Sequence, residues 1–372
     1  MRRPLAPVWL AQPSRFAALS ANRARAALAL LGLLLAASLL ALGTPGPPPV
    51  SGDPANRAED QSDVVLYETI VEGVRHGGSY YPVAADALRA GDYPLRPFVT
   101  FRLPTLAMVQ ATLPASVTLA LLYALAAATA LAWYARLAAV FSRGPPRIVA
   151  MALLAGGLMA FVQPDLAAFH EIWAGLFIAL SLAVRREQRW LPAVAFGLAA
   201  VLIRETAAPY LVTMAALAWW SGQRREAIGW AAALAILAVA LALHAHAVAQ
   251  VVRPLDPASP GWAGLLGFGF FVHTMTISTA LSLAPQWLAA LLVGLALFGW
   301  AAWRDPTGLR VLALLAGYAA VLSIVGRTDT FYWGLLVAPV LLVGLAFVPD
   351  GVRDLVAAAL DKRRITVRRM VR

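Results

Sequence analysis

Long apolar runs broken by short polar turns make up most of this chain of 372 residues, from Ala26 to Val348. The runs are rich in Leu and Ala and lack the ten-residue alternation of membrane strands, so they predict an all-α polytopic membrane protein. About ten transmembrane helices are expected. The first covers about 25–43, the second about 113–138, and the third and fourth about 148–162 and 170–185. A compact hairpin of two short arms follows at about 190–203 and 206–220, then a seventh span at about 227–250. The last three cover about 285–303, 309–325 and 334–348. The run 262–283 is expected to be re-entrant or surface-lying, because a full crossing there would carry the basic C-terminal tail to the wrong side.

The long polar interruption lies between the first two spans. Residues 44–104 read as a large first extracytoplasmic loop that opens on Thr44-Pro45-Gly46-Pro47-Pro48-Pro49, a stretch unable to continue a helix. Two short juxtamembrane helices, about 62–76 and 83–91, are predicted on either side of the Gly77-Gly78 turn. Three divisions result: a basic cytoplasmic N-terminus over 1–24, a transmembrane domain over 25–348, and a basic cytoplasmic tail over 349–372. The first run has a long lead and no small-residue cleavage site, so it reads as an uncleaved span.

Composition agrees with the pattern: 61% of residues are hydrophobic and 13% charged, where a soluble domain carries about 25% charged. The net charge of +11 sits at both chain ends and in the turns 143–147, 185–189 and 224–225. Such charge sets topology, facing the cytoplasm and anionic membrane lipids with both termini inside. No interleaved aromatic and basic surface supports nucleic-acid binding. The absence of cysteine excludes disulfides and thiolate metal sites. Ala/Arg/Pro-rich usage points to a bacterial inner (plasma) membrane.

The remaining polar residues fall on the opposite side of this topology. Ionisable groups beside spans are costly and tend to face cavities. Asp63 and Tyr67 are four apart and share a helix face. A carboxylate at Asp63 or Asp60 suits a general base toward a hydroxyl, and equally suits a helix cap or the first-turn dipole. Arg96, Arg102, Arg204 and Arg327 carry guanidinium groups suited to phosphate. Interfacial snorkelling is the alternative for Arg96 and Arg102, and an ion pair with Glu171 or Glu205 for Arg204. His170-Glu171 is either cavity-facing or an end-of-helix polar pair. Tyr80, Tyr81, Tyr332 and Trp333 suit stacking on a sugar or an aromatic belt. Gly264, Gly267 and Gly269 fit close helix packing better than phosphate binding. His244 and His246, two apart, point to different helix faces and do not form a metal pair.

The pattern Asp63-x-x-x-Tyr67, then Gly77-Gly78-Ser79-Tyr80-Tyr81-Pro82, in a loop after the first span, resembles the polytopic GT-C glycosyltransferases. These include protein mannosyltransferases, aminoarabinose transferases and polyprenyl-phosphate mannosyltransferases. The short hairpin with Arg204-Glu205 at its apex is similar too, as is Arg327-x-x-x-x-Tyr332-Trp333 ahead of Pro339. The resemblance implies a GT-C-like fold, a polyprenyl-phosphate-linked sugar donor, and transfer to a hydroxyl of a glycan, lipid or protein acceptor on the extracytoplasmic face. It implies Asp63 as the catalytic carboxylate with Asp60 as substitute, phosphate leaving toward Arg204 and Arg327, and Arg96 or Arg102 holding the donor. No cofactor is required by that scheme, while a divalent cation between Asp60 and Asp63 fits it. The chain departs from the pattern at Val64 and Val65, where no second acid follows Asp63. A transporter or flippase, or a non-catalytic envelope assembly protein, is the alternative expectation.

Overall fold

The computed structural model describes residues 6–44 and 62–361. Asp60 lies outside the described residues. Among them every regular element is helical, and pairing between extended segments is limited to isolated bridges. The α-helices are α1 Ala21–Ser38, α2 Ser62–Arg75, α3 Tyr80–Ala90, α4 Thr105–Thr112, α5 Ala115–Leu137, α6 Gly144–Gly157, α7 His170–Val184 and α8 Leu191–Ile203. They continue with α9 Ala208–Trp220, α10 Arg224–Ala249, α11 Gly267–Ile277, α12 Gln286–Ala302, α13 Pro306–Ile324, α14 Ala338–Leu341 and α15 Val348–Ala359.

Four of these helices are long and apolar enough to cross a bilayer: α1 with its 3-10 extension to Gly43, α5, α10 and α13. A fifth candidate is the pair Thr328–Leu336 and Ala338–Ala359, bent by 59°. The chain is therefore a helical, membrane-embedded protein with four or five span-length helices. Several of the ten expected spans are shorter: α6 has 14 residues, α7 has 15, and α8 and α9 have 13 each. At 1.5 Å per residue such helices reach about 20 Å, against roughly 30 Å of hydrocarbon. Their boundaries follow local chemistry. Pro145-Pro146 opens α6, and Pro192 and Pro209 sit in the first turns of α8 and α9, where proline lacks only a hydrogen bond that no partner awaits.

Helix α7 is the central strut. It is buried all round except at Phe177 and Val184, as expected for a helix that is apolar on every face. Gly175 permits its closest approach: a Cβ there would sit 2.4 Å from the Leu335 carbonyl oxygen. That contact brings the 3-10 segment Thr328–Leu336 against the start of α7. Gly264 plays the same part nearby, since a Cβ would lie 1.9 Å from the Gly326 carbonyl oxygen. Gly269 packs on Leu40 and Thr44, whereas Gly267 has open space around it and a φ of +74° at the start of α11. Its role is conformational.

The run expected to be re-entrant or surface-lying contains α11, whose 11 residues rise about 16 Å. It starts beside Leu40 and Thr44 at the end of the first span. By Gln286, whose Nε2 donates to the Ala41 carbonyl at 3.2 Å, the chain is back at that level. Phe270, Phe271, Val272 and Met275 are fully enclosed by protein. The segment dips in and returns, shielded by neighbouring helices, which keeps irregular backbone away from lipid. It does not lie on a surface.

The described chain ends meet. Asp350 accepts the backbone N–H groups of Val8, Trp9 and Leu10 at 2.7–2.8 Å, and Asp354 accepts that of Ser14 at 2.7 Å. The basic turns gather beside them: Arg136 donates to the Ala183 and Arg185 carbonyls, and Arg15 to that of Trp303. Helix α7 runs from this end, at Val184, to the opposite end, at His170.

Candidate functional site

At the His170 end lies a cavity of about 610 Å³. Asp63 and Tyr67 enter it from successive turns of α2, and Tyr80 from the first turn of α3. Arg102 comes from the loop before α4, His170 from the start of α7, and Arg204 and Glu205 from the apex of the α8–α9 hairpin. Arg327, Tyr332 and Trp333 come from the 3-10 segment that Gly175 admits. Ten expected site residues from six stretches of chain thus border one space. The wall also contains Thr206, Ser259 and Trp262. Sequence reading missed these because each looks like an ordinary turn or interfacial residue; their one signal is position at the polar end of an apolar run.

Three expected residues lie elsewhere. The Tyr81 ring turns away, its hydroxyl 3.1 Å from His244 Nδ1 on α10, because neighbouring helical positions point 100° apart. Arg96 is exposed and donates to the Asp256 carbonyl at 2.6 Å, so it fastens a loop. Glu171 stands behind the wall as the partner of Arg204. Asp60 falls outside the described residues, and with it the possible Asp60/Asp63 cation pair. Among the described residues no group of three or more His, Asp or Glu side chains is placed to hold a metal ion.

The three cavity arginines differ in their company. Arg204 is 1% exposed. Its Nε donates to Glu171 Oε1 at 2.5 Å and its Nη1 to Glu205 Oε1. A guanidinium this deep needs such compensation, and two carboxylates leave the trio with a net negative charge. Arg327 donates through Nη2 to Asp329 at 2.7 Å and through Nη1 to the Gly261 carbonyl at 3.2 Å, which ties the loop of Trp262 to the 3-10 segment. Arg102 has no carboxylate within 4 Å among the described residues. Its Nε donates to the Tyr67 hydroxyl at 2.9 Å, its guanidinium lies 5.7 Å from the centre of the Tyr67 ring, and its carbonyl accepts the Tyr80 hydroxyl at 2.7 Å. Its terminal nitrogens have no partner among the described residues.

Burial pushes the Tyr67 and Tyr80 phenols above their ordinary value, against the pull of Arg102. Both stay neutral at physiological pH, so neither cancels the arginine. Several buried polar atoms of the wall have no partner among the described residues: both ring nitrogens of His170, Glu205 Oε2, Thr206 Oγ1 and Trp333 Nε1. Unpaired groups of this kind mark where ligand or water completes a site. Asp63 lines the cavity and has no hydrogen-bond partner among the described residues. The cavity thus offers a carboxylate, a guanidinium with no carboxylate within 4 Å among the described residues but within electrostatic reach of Glu171 and Glu205, and aromatic faces.

No protein-family model matches this chain, and neither a curated protein nor a solved structure matches it.

Proposed function

We propose that the chain is a membrane glycosyltransferase that moves a sugar from a polyprenyl-phosphate donor to an acceptor hydroxyl at the cavity end of the bundle. That end is the extracytoplasmic face of a bacterial inner membrane, crossed about ten times with both termini cytoplasmic. The observation that carries the proposal is Arg102, a guanidinium facing the cavity with no carboxylate within 4 Å among the described residues, on the same wall as the cavity-lining carboxylate of Asp63. A cation so placed awaits an anion.

In the proposed reaction the acceptor hydroxyl gives its proton to Asp63 as its oxygen bonds to the anomeric carbon. The bond from that carbon to the phosphate oxygen breaks, and its electron pair leaves with the lipid phosphate toward Arg102. One displacement inverts the anomeric centre. Arg204 and Arg327, already engaged by carboxylates, hold the hairpin apex and the 3-10 segment in place. Tyr80, Tyr332, Trp262 and Trp333 supply faces for a sugar. No step runs through a metal ion.

The test is sugar transfer by purified protein in lipid nanodiscs, supplied with a panel of polyprenyl-phosphate sugars and hydroxyl acceptors. Removing a charge-assisted contact costs about 1.5–3 kcal/mol, so Arg102→Gln should raise the donor KM by roughly ten- to a hundredfold. Wild-type protein inert toward every donor, or unchanged donor kinetics in Arg102→Gln, would refute the proposal.

A further inference from the structure

A second cavity, of about 510 Å³, opens at the other end of the bundle, beside the chain ends. One wall is the N-terminal strap at Leu10–Pro13; the others are the end of α5, Arg186, and the turn Trp303–Asp305. The strap is fixed in place. Its Ala11 N–H donates to the Val140 carbonyl at 2.8 Å, the Ser142 N–H donates to the Trp9 carbonyl at 3.2 Å, and Asp350 holds the preceding residues. The space is a built cleft and not a gap beside a loose tail.

Its charge is unbalanced. Among the described residues that line it, Arg136, Arg186 and Arg304 face a single carboxylate, Asp305. Asp305 is occupied in capping α13, where Oδ1 accepts the Thr307 N–H at 2.8 Å, and it lies 3.6 Å from Arg136. The other partners are neutral. Arg136 and Arg186 donate to the Ala183 and Arg185 carbonyls, and Arg304 donates to the Ser14 carbonyl at 3.3 Å. Carbonyls orient a guanidinium without cancelling its charge. The Arg136 side chain is 9% exposed and its Nε is buried with no partner among the described residues. Arg15 stands beside the cleft, held below the ordinary guanidinium value by burial and then by the charge of Arg304. Next to the cleft α5 presents Leu131 and Tyr134 outward, both exposed, so an apolar, lipid-facing surface adjoins a cationic pocket.

We propose that this cleft binds the phosphate of an anionic phospholipid headgroup from the leaflet at the chain ends, with the acyl chains lying along α5. Guanidinium forks match phosphate oxygens, and basic pockets between membrane helices suit such headgroups. The proposal rests on membrane embedding alone and is independent of the glycosyltransferase reading.

The test is native mass spectrometry of the full-length protein in detergent, titrated with phosphatidylglycerol, phosphatidylcholine or inorganic phosphate. Phosphatidylglycerol should be retained in preference to phosphatidylcholine, and inorganic phosphate at the same concentration should not displace it. Arg186→Gln with Arg304→Gln, both at exposed positions, should weaken retention roughly fivefold for each arginine. Arg225→Gln, in another exposed basic turn, should leave it unchanged. Equal retention of the two lipids by wild-type protein would overturn the proposal without reference to any variant. Displacement by inorganic phosphate would reduce the cleft to a free-phosphate site, and an equal effect of Arg225→Gln would reduce the binding to general surface charge; each outcome overturns it.

Discussion

Arg204 and Arg102 border the same cavity and do opposite work. Arg204 is buried between two carboxylates, so its removal strands like charges in a low-dielectric setting. Arg204→Gln should destabilise the protein by about 3–5 kcal/mol, seen as a lower thermal unfolding midpoint. Arg102→Gln breaks a bond to a neutral phenol and should leave the midpoint within a few degrees of wild type. The expectation of an ion pair for Arg204 named Glu171 and Glu205, and both are its partners. Arg102 was not separable from Arg96 in the sequence, since both are loop arginines flanked by aromatic and apolar residues. What distinguishes them is tertiary: Arg96 meets the loop after α10, and Arg102 meets Tyr67 one turn below Asp63.

At the scale of elements, hydrophobic periodicity located most helices closely. The helix expected at 62–76 is Ser62–Arg75, and the arms expected at 190–203 and 206–220 are Leu191–Ile203 and Ala208–Trp220. Gly, Pro and the adjacent charges mark those boundaries. Less was legible where backbone meets backbone. The last span, expected as one helix over 334–348, is a 3-10 segment, a bend and two further helical pieces, because the close approach at Gly175 is a property of the partner and not of the segment itself. The loop after α10 was equally opaque. Arg89 grips Asp256 at 2.8–2.9 Å through two nitrogens and binds the Val251 carbonyl at 2.8 Å. Those Arg89 hydrogen bonds, and then the Arg253 N–H, hold the Asp256 carboxyl down to about 2. A depressed carboxyl contributes its full stabilisation above its unfolded value, near 4, and loses it as pH falls through the folded value. Hydrogen exchange of residues 253–262 should therefore be insensitive to Asp256 titration between pH 5 and 8, after correction for the intrinsic exchange rate. Protection should fall between about pH 4 and 2. Asp256→Asn should produce the same loss at neutral pH.

Across the whole molecule, charge divides between two ends. Paired or carbonyl-bound arginines collect with both described chain ends, and the mixed acid, arginine and aromatic set collects around the larger cavity. That division was readable because topology-setting arginines occur in short turns at alternate breaks of the apolar pattern. The convergence of Asp63, Arg102, His170, Arg204 and Arg327 on one cavity was readable only as membership of one side, since no periodicity reports distances between helices far apart in the chain. Orientation has a clean test, because the chain contains no cysteine. His76→Cys should react with a membrane-impermeant maleimide on intact cells, and Gln188→Cys only after lysis; the reverse pattern would invert the proposed topology. Sugar transfer by the Asp63 carboxylate beside the Arg102 guanidinium is best examined by comparing purified wild-type protein with Asp63→Asn. Transfer from at least one polyprenyl-phosphate sugar is expected of the wild type, and a rate about 10²- to 10⁴-fold lower of the variant, with donor affinity and unfolding midpoint retained. Transfer by Asp63→Asn at the wild-type rate would contradict that expectation.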